Sequence, residues 1–574
     1  MTTSISACGG GSGEDTDLSG ADAFAPDDVP EEPDQGVDEG PALDAVDGPD
    51  ATDNSGAADA IDDSLESDIP DEDPDTGPGI EYPAERAAWV YLDNPTENNG
   101  QPTQVTLTHF SDPWGRLTGP YAEVSNCLNE PGGQRIEFDY NGMDAWIDLC
   151  RFAQTVTPGE DGTYLHVRPP QKMTDPNDAF SEVMMFYGIN TMRDYYHDVH
   201  GLDTSERPIF ALVNLQFAIL GVEWYPLDNA AYVPAGSFDG IGIDLGVDRD
   251  MLAFGQGERL DFACEVDVIH HEYTHYVIGG NRLFSYLADE YGFNNFPLSM
   301  NEGFADYFPA SLADNSVLGA WALGASSRDL SRFRKCPDHI VGEVHYDGEI
   351  WSSTLWHMRT ELGREASDDI AFQAMMRAGP GTTLTEMSQL ILEAVEDSYP
   401  QHIDAVEAIL DTHGITECER VLPFPATPEA SRTLILEGRQ TSGIMEYRYA
   451  VPAPVQHRIE VPEATTSLTI RVDAKAAGMV GGAVAMSLSL RRGSEAITHT
   501  FFPQNGTDAD IQVTGVNTTK NTFEFTVAGD CLEAGTYVVQ FVNRSGDQVY
   551  LNKMAVDFGT EPFEGEPNYT SCVR

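Results

Sequence analysis

Basic side chains are what this sequence has least of. Its 574 residues contain 31 Lys+Arg against 95 Asp+Glu, a formal charge of -64. Residues 1–80 carry 24 acidic groups and no base, the first being Arg86. A field of this sign repels phosphate backbones and anionic headgroups, which excludes nucleic acid as a partner. A long apolar run is missing too: the longest candidate, Ile209 to Val222, is broken by Asn214 and Gln216, so an apolar membrane-spanning helix is not encoded. None of the eight cysteines forms a CxxC pair, which removes zinc ribbons and thioredoxin-like redox motifs. The opening MTTSISAC has neither the charged start nor the apolar length of a complete signal peptide.

Ile5-Ser6-Ala7-Cys8 before Gly9-Gly10-Gly11 nevertheless looks like a bacterial lipobox. Cys8 is therefore a candidate lipid anchor, with its upstream signal expected outside this sequence; the plain alternative is a chance cysteine near a terminus. The other seven cysteines are widely scattered, which suits an oxidising compartment. Cys127–Cys150 and Cys531–Cys572 are the pairs closest in sequence; the connectivity stays open, and an odd number leaves at least one thiol free.

Composition divides the chain further. Residues 1–80 comprise the lipobox-like start and a segment of Asp, Glu, Gly, Ala and Pro that cannot bury enough apolar surface to offset ordering entropy, and they read as an extended acidic linker. Residues 81–264 form a β-rich part, with alternating runs such as Val105-Thr106-Leu107-Thr108, interrupted by an amphipathic helix over Asp178–His200. Residues 265–420 are mostly helical, with periodic stretches at 265–280, 299–313, 348–362, 368–378, 383–398 and 402–413. The proline-dense stretch from Val421 to Pro428 reads as a linker, and 430–574 as a separate β-sandwich.

The chemistry concentrates in Val268-Ile269-His270-His271-Glu272-Tyr273-Thr274-His275. On a helix, His271 and His275 sit one turn apart on one face and can share a zinc ion at roughly 2.0–2.1 Å. Glu272 then lies beside the metal, where a carboxylate can take a proton from water. His270 projects about 100° away and reads as structural. Downstream, Asn301-Glu302-Gly303-Phe304-Ala305-Asp306 offers Glu302 as a third ligand and Asp306 as the acceptor for a ligand histidine's ring N–H. Val344-His345-Tyr346-Asp347-Gly348-Glu349 places His345 just before a helix start, where it can stabilise an oxyanion.

These segments, in order and approximate spacing, resemble the gluzincin metallopeptidases, thermolysin-like and especially fungalysin-like, over roughly residues 85–415. The resemblance implies an α+β, two-lobed metallopeptidase fold, with a β-rich N-lobe, a helical C-lobe and one catalytic Zn2+ in the cleft. It implies His271, His275 and Glu302 as metal ligands, Glu272 as base and later proton donor, Asp306 behind a ligand histidine, and His345 as transition-state donor. Tyr286 corresponds to a tyrosine that also contacts the oxyanion, with Tyr291 close enough to compete. Asn229 and Ala230 correspond to the edge segment that pairs with substrate backbone. Ala253-Phe254-Gly255-Gln256-Gly257 resembles the edge-strand turn before the zinc helix. The carboxylate that orients the donor histidine is not at its usual offset, where Ile340 stands, and Asp338 is a substitute. Relatives usually carry a folded propeptide, whereas only the acidic segment precedes the β region here. The C-terminal part resembles the pre-peptidase C-terminal β-sandwiches of secreted bacterial proteases.

The function expected is a secreted or surface-tethered zinc metalloendopeptidase, hydrolysing protein or peptide substrates by zinc-activated water with Glu272 as general base. The expected location is extracellular or on the bacterial cell surface, and the expected working form a monomer. A catalytically inactive surface-binding lipoprotein of the same fold is the alternative. An aminopeptidase would need a GxMEN-type segment, which the sequence does not contain. The aspartates at 239, 244, 248 and 250 are candidates for Ca2+, without EF-hand spacing.

Overall fold

A computed structural model describes residues 82–572, apart from 114, 141–142, 176–177, 205–207, 238–245, 258–259, 439–449, 477–482, 501–505, 520, 566 and 568. Cys8 and the acidic segment lie outside the described residues, as do Asp239 and Asp244. Helix and strand are both extensive, an α+β arrangement. None of the described helices is long and apolar enough to cross a membrane.

The chain enters through a two-stranded ribbon, β1 (Arg86–Val90) and β2 (Thr103–Leu107). A six-stranded sheet follows, built from β3 (Ala122–Tyr140), β4 (Met143–Ala153), β5 (Ile209–Ile219), β6 (Glu223–Pro226), β7 (Ala230–Val233) and β8 (Met251–Gly255). Its order is β3-β4-β5-β8-β7, with β6 folded back on β5. β8 is thus an inner strand and β7 the edge, so in Ala253-Phe254-Gly255-Gln256-Gly257 the turn at Gln256-Gly257 leaves an inner strand, not an edge one. One face of the sheet packs on helix α1 (Phe180–His200) through Ala211, Val213, Leu252 and Phe254, and α1 directs Val183, Phe186, Ile189 and Tyr196 inward. Alternation along the strands makes this possible, since successive side chains face opposite sides.

Six further helices build the second half: α2 (Val266–Ile278), α3 (Phe296–Ala313), α4 (Val344–Leu362), α5 (Arg364–Arg377), α6 (Leu384–Ser398) and α7 (Ile403–Thr412). Every residue of α2 except Tyr276 is buried, so this helix is the centre of the molecule. α4 begins four residues before its periodicity does, because Glu343 caps it by accepting the His345 and Tyr346 N–H groups. His345 therefore lies in the first turn of the helix, not ahead of it. α3 and α4 cross at two glycines: a Cβ on Gly303 would fall 2.8 Å from Gly348 O and 2.9 Å from Trp351. The same contact explains why both motifs carry glycine, since only a missing Cβ lets the backbones approach this closely. Between α2 and α3 lies a hairpin, β9 (Leu287–Asp289) and β10 (Gly292–Asn294).

Beyond α7 come two facing sheets. One is seven-stranded and centred on Gln456–Val461, Gly535–Asn543 and Met486–Arg492; the other is five-stranded and centred on Val549–Gly559 and Ser467–Ala476. Phe525 and Phe541, one from each, meet edge to face with centroids 5.9 Å apart. Val421–Pro423, read from sequence as linker, pairs in parallel with the strand Gln456–Val461 and already belongs to the larger sheet. Among the described residues three disulfides join Cys127–Cys150, Cys336–Cys418 and Cys531–Cys572, leaving Cys264 free and buried.

Candidate active site

α2 carries His271 and His275, and α3 carries Glu302. Their ligand atoms form a small triangle: the two Nε2 atoms are 3.1 Å apart, and Glu302 Oε2 is 3.3 Å from His271 Nε2 and 3.6 Å from His275 Nε2. A tetrahedral zinc with bonds of about 2.0–2.1 Å sets its ligand atoms about 3.3–3.4 Å apart. The three edges straddle that spacing.

Proton placement strengthens the fit. Asn301 donates its Nδ2 to Leu283 O (3.1 Å), so its Oδ1 is the atom 2.6 Å from His275 Nδ1, and His275 must carry its hydrogen there. His271 Nδ1 lies 2.9 Å from Asp306 Oδ1, an acceptor only. Both histidines thus hold their hydrogens on Nδ1, facing outward. Two Nε2 lone pairs and a carboxylate oxygen then converge with no hydrogen between them, an arrangement that calls for a cation.

Arg328 stands behind Asp306 and donates twice, Nε to Oδ2 (2.8 Å) and Nη2 to Oδ1 (2.6 Å). Burial alone would raise the Asp306 pKa, but Arg328 and His271 outweigh it and hold the carboxyl below its usual range. Nothing in the sequence near Arg328 flags this role; the short strand pairing Arg328–Asp329 with Val317–Leu318 brings it in from a distant loop.

Glu272 is fully buried beside the triangle. Its Oε2 accepts the Tyr232 backbone N–H at 2.8 Å, and its Oε1 has no hydrogen-bond partner among the described residues. Tyr232 lies in β7, so the edge strand of the sheet positions the carboxylate. Ala230 opens that strand and is buried; Asn229 precedes it, its carbonyl accepting Gly255 N–H at 2.8 Å.

His345 closes the other side. Its Nε2 is 3.4 Å from Glu302 Oε2, and its Nδ1 is 2.7 Å from Glu343 Oε1. Glu343 therefore does what the sequence reading gave to Asp338, which instead pairs with Lys335 at 2.7 Å. Burial works against a charged ring, yet Glu302 and Glu343 hold the His345 pKa up at about 9. The Tyr286 ring is 5.3 Å from Phe293 in a small cluster with Val451, and Tyr291 sits under Arg420. His270 is buried and driven down to about 3, neutral at physiological pH. Asp250 accepts the Ala235 N–H at 2.7 Å.

A buried pair of histidines one turn apart, a glutamate from the next helix and a second glutamate beside them define a metallopeptidase centre. Residues 172–419 match the family model described as fungalysin metallopeptidase (M36), and through this stretch the protein is a fungalysin-like zinc metallopeptidase, a hydrolase. No curated protein matches the chain significantly. Among solved structures, one described as TmCBM61 in complex with beta-1,4-galactotriose aligns over 22% of this chain and 70% of its own, at 10% identity and a TM-score of 0.13, too low to carry an argument.

Proposed function

We propose that the protein is a zinc metalloendopeptidase, secreted or tethered at the bacterial cell surface through Cys8. The observation that carries the reading is the proton-free triangle of His271, His275 and Glu302, whose tautomers are set from outside by Asn301 and Asp306. When bound there, zinc supplies Lewis acidity, lowering the pKa of water and polarising a carbonyl.

The residues of the chain divide the remaining work. Glu272 Oε2 is held by the Tyr232 N–H, which leaves Oε1 to take a proton from the attacking water and pass it to the leaving amine. His345, charged and fixed through Nδ1 by Glu343, offers its Nε2–H to the developing oxyanion. Among the described residues the edge strand β7, starting at Ala230 after Asn229, pairs with β8 on one side only, which suits its other side to an extended peptide. Tyr286, whose ring packs toward Phe293, stays the candidate for a second oxyanion contact that the family resemblance implies. The three disulfides suit an oxidising compartment outside the cytoplasm, and the two facing C-terminal sheets suit a β-sandwich of the pre-peptidase kind.

A casein zymogram of the purified protein, with and without chelator, tests the reading. Expected are clearing that chelation abolishes and zinc restores, and internal cleavage products by mass spectrometry. Fragments shortened only from their amino ends would replace the endopeptidase reading with an aminopeptidase one, and zinc binding without hydrolysis would favour the inactive surface protein.

A further inference from the structure

The C-terminal sheets grip the β9–β10 hairpin with buried polar side chains. Arg420, 2% exposed, donates Nη1 to Phe293 O (2.5 Å) and Pro454 O (3.0 Å), pairs through Nη2 with Asp289 Oδ1, and lies over the Tyr291 ring. Gln540 donates Nε2 to Tyr291 O (2.6 Å) and to Ala453 O (2.8 Å). Gly292 passes so close that a Cβ there would fall 2.8 Å from Pro452 Cβ and 3.0 Å from Gln540 Nε2. The hairpin is thus held from the far domain.

From Asp289 the connection continues inward. Asp289 Oδ2 accepts Asn294 Nδ2 (2.7 Å), and Asn294 Oδ1 accepts the N–H of Phe296, the first residue of α3, at 2.9 Å. Glu302 stands six residues further along this helix. Asn295 donates to Asp347 Oδ2 (3.0 Å) in the first turn of α4, and Asp347 also accepts the N–H groups of Val341 (2.6 Å) and Gly342 (3.0 Å). Ile435, in a C-terminal strand, donates its N–H to Val341 O (2.8 Å). Two of the segments that build the site, the start of α3 that leads to Glu302 and the loop before His345, are therefore anchored on the C-terminal unit. The buried apolar side chains of the helical half and of the two sheets also belong to one continuous cluster.

We infer that Arg420 is a positioning residue for Glu302, and that the two-sheet unit is a fixed part of the active site, not an appended module. This rests on the zinc reading above. A buried guanidinium holding two carbonyls and a carboxylate sets where the hairpin ends, and hence where α3 begins. Removing it takes one buried donor from Phe293 O and the cationic partner from Asp289, which keeps only the Tyr291 N–H and Asn294 Nδ2.

The test uses the full chain. Arg420→Met is expected to fold, to lose zinc to a competing chelator about tenfold more readily and to lower kcat/KM about tenfold or more, the range typical of groups that orient metal ligands; Arg420→Lys should recover part of both. Gly292→Ala, which wedges the hairpin off Pro452 and Gln540, should act in the same direction. If either variant folds with wild-type zinc retention and kcat/KM, the inference fails. Hydrogen exchange on the wild type decides the matter even where variants do not fold. Strand Gly535–Asn543 and hairpin Leu287–Asn294 should lose protection together as urea rises, with zinc released in the same transition. Opening of the C-terminal strands while the hairpin stays protected and zinc stays bound would overturn it. A wild type that binds no zinc would instead refute the metal reading, and the exchange comparison would still judge the coupling.

Discussion

At the scale of single residues the site divides into groups the sequence displays and groups only the fold supplies. His271, Glu272 and His275 are visible because a helix repeats every 3.6 residues, so i and i+4 share a face. Glu302 and Asp306 show for the same reason, one turn apart on α3. Arg328 was not visible: its role depends on a tertiary pairing and no local spacing encodes it. Glu343 and Asn301 were visible as letters but not as functions, because a hydrogen bond to a ring nitrogen has no periodicity. Glu272→Gln keeps shape and burial but cannot take a proton, so zinc content should be unchanged while kcat/KM falls by about 10²–10⁴. Glu343→Gln should leave zinc in place and lower kcat/KM by up to about a hundredfold, because His345 loses its fixed orientation. Zinc analysis beside steady-state kinetics separates these two from a ligand loss.

At the scale of elements, the helices of the second half were legible from apolar periodicity, and so were the starts of α2, α6 and α7 to within a residue, but not those of α3, α4 and α5. α4 begins at its Glu343 cap, a residue type outside the usual Ser, Thr, Asp and Asn set. α3 begins at Phe296, ahead of the periodic stretch, with Pro297 in its first turn. The crossing of α3 and α4 at Gly303 and Gly348 is the packing that delivers Glu302 beside His345. Gly303→Ala should cost about 1–3 kcal/mol by overpacking and lower activity more than a comparable change elsewhere on α3, seen by thermal unfolding and kinetics together.

A second expectation concerns the junction of α1 with the turn before α2. Ser181 has one hydroxyl hydrogen for two buried carboxyls, Asp178 Oδ2 at 2.9 Å and Asp261 Oδ2. Burial, then the neighbouring Asp178, raises the Asp261 pKa to about 7. A carboxyl raised on folding stabilises fully below its unfolded pKa, near 4, and loses that contribution as pH rises through its folded value. Asp261 therefore contributes a fall in thermal midpoint between about pH 4 and 8, on which buried histidines such as His270 (about 3) and His457 (about 4) superpose a rise up to about pH 6.5. Asp261→Asn, which mimics the neutral carboxyl, should flatten this decline by a few degrees; Asp178 (about 6), Glu265 (about 7) and Asp347 (about 7) leave a remainder. A decline undiminished in Asp261→Asn would place its origin elsewhere.

At the scale of the whole molecule, the sequence divided the chain at its proline-rich stretch, where the structure continues a sheet. Three prolines between 423 and 428 do stop a helix, but an edge strand needs few backbone donors, and Val421–Pro423 pairs all the same. The Cys336–Cys418 disulfide ties the turn before α4 to the chain leaving α7, across 82 residues. Replacing both cysteines with serine should cost about 2–5 kcal/mol, read as a lower unfolding midpoint with the zinc ligands intact.

The central claim is that a metal triangle and one glutamate make this acidic chain a peptidase. Zinc content and cleavage of an end-blocked peptide, measured together on wild type, Glu272→Gln and His275→Ala, test it most directly. The account requires one zinc and cleavage in wild type, one zinc without cleavage in Glu272→Gln, and loss of both in His275→Ala. Stoichiometric zinc in a wild type that cleaves no peptide, or undiminished cleavage by Glu272→Gln, would contradict it.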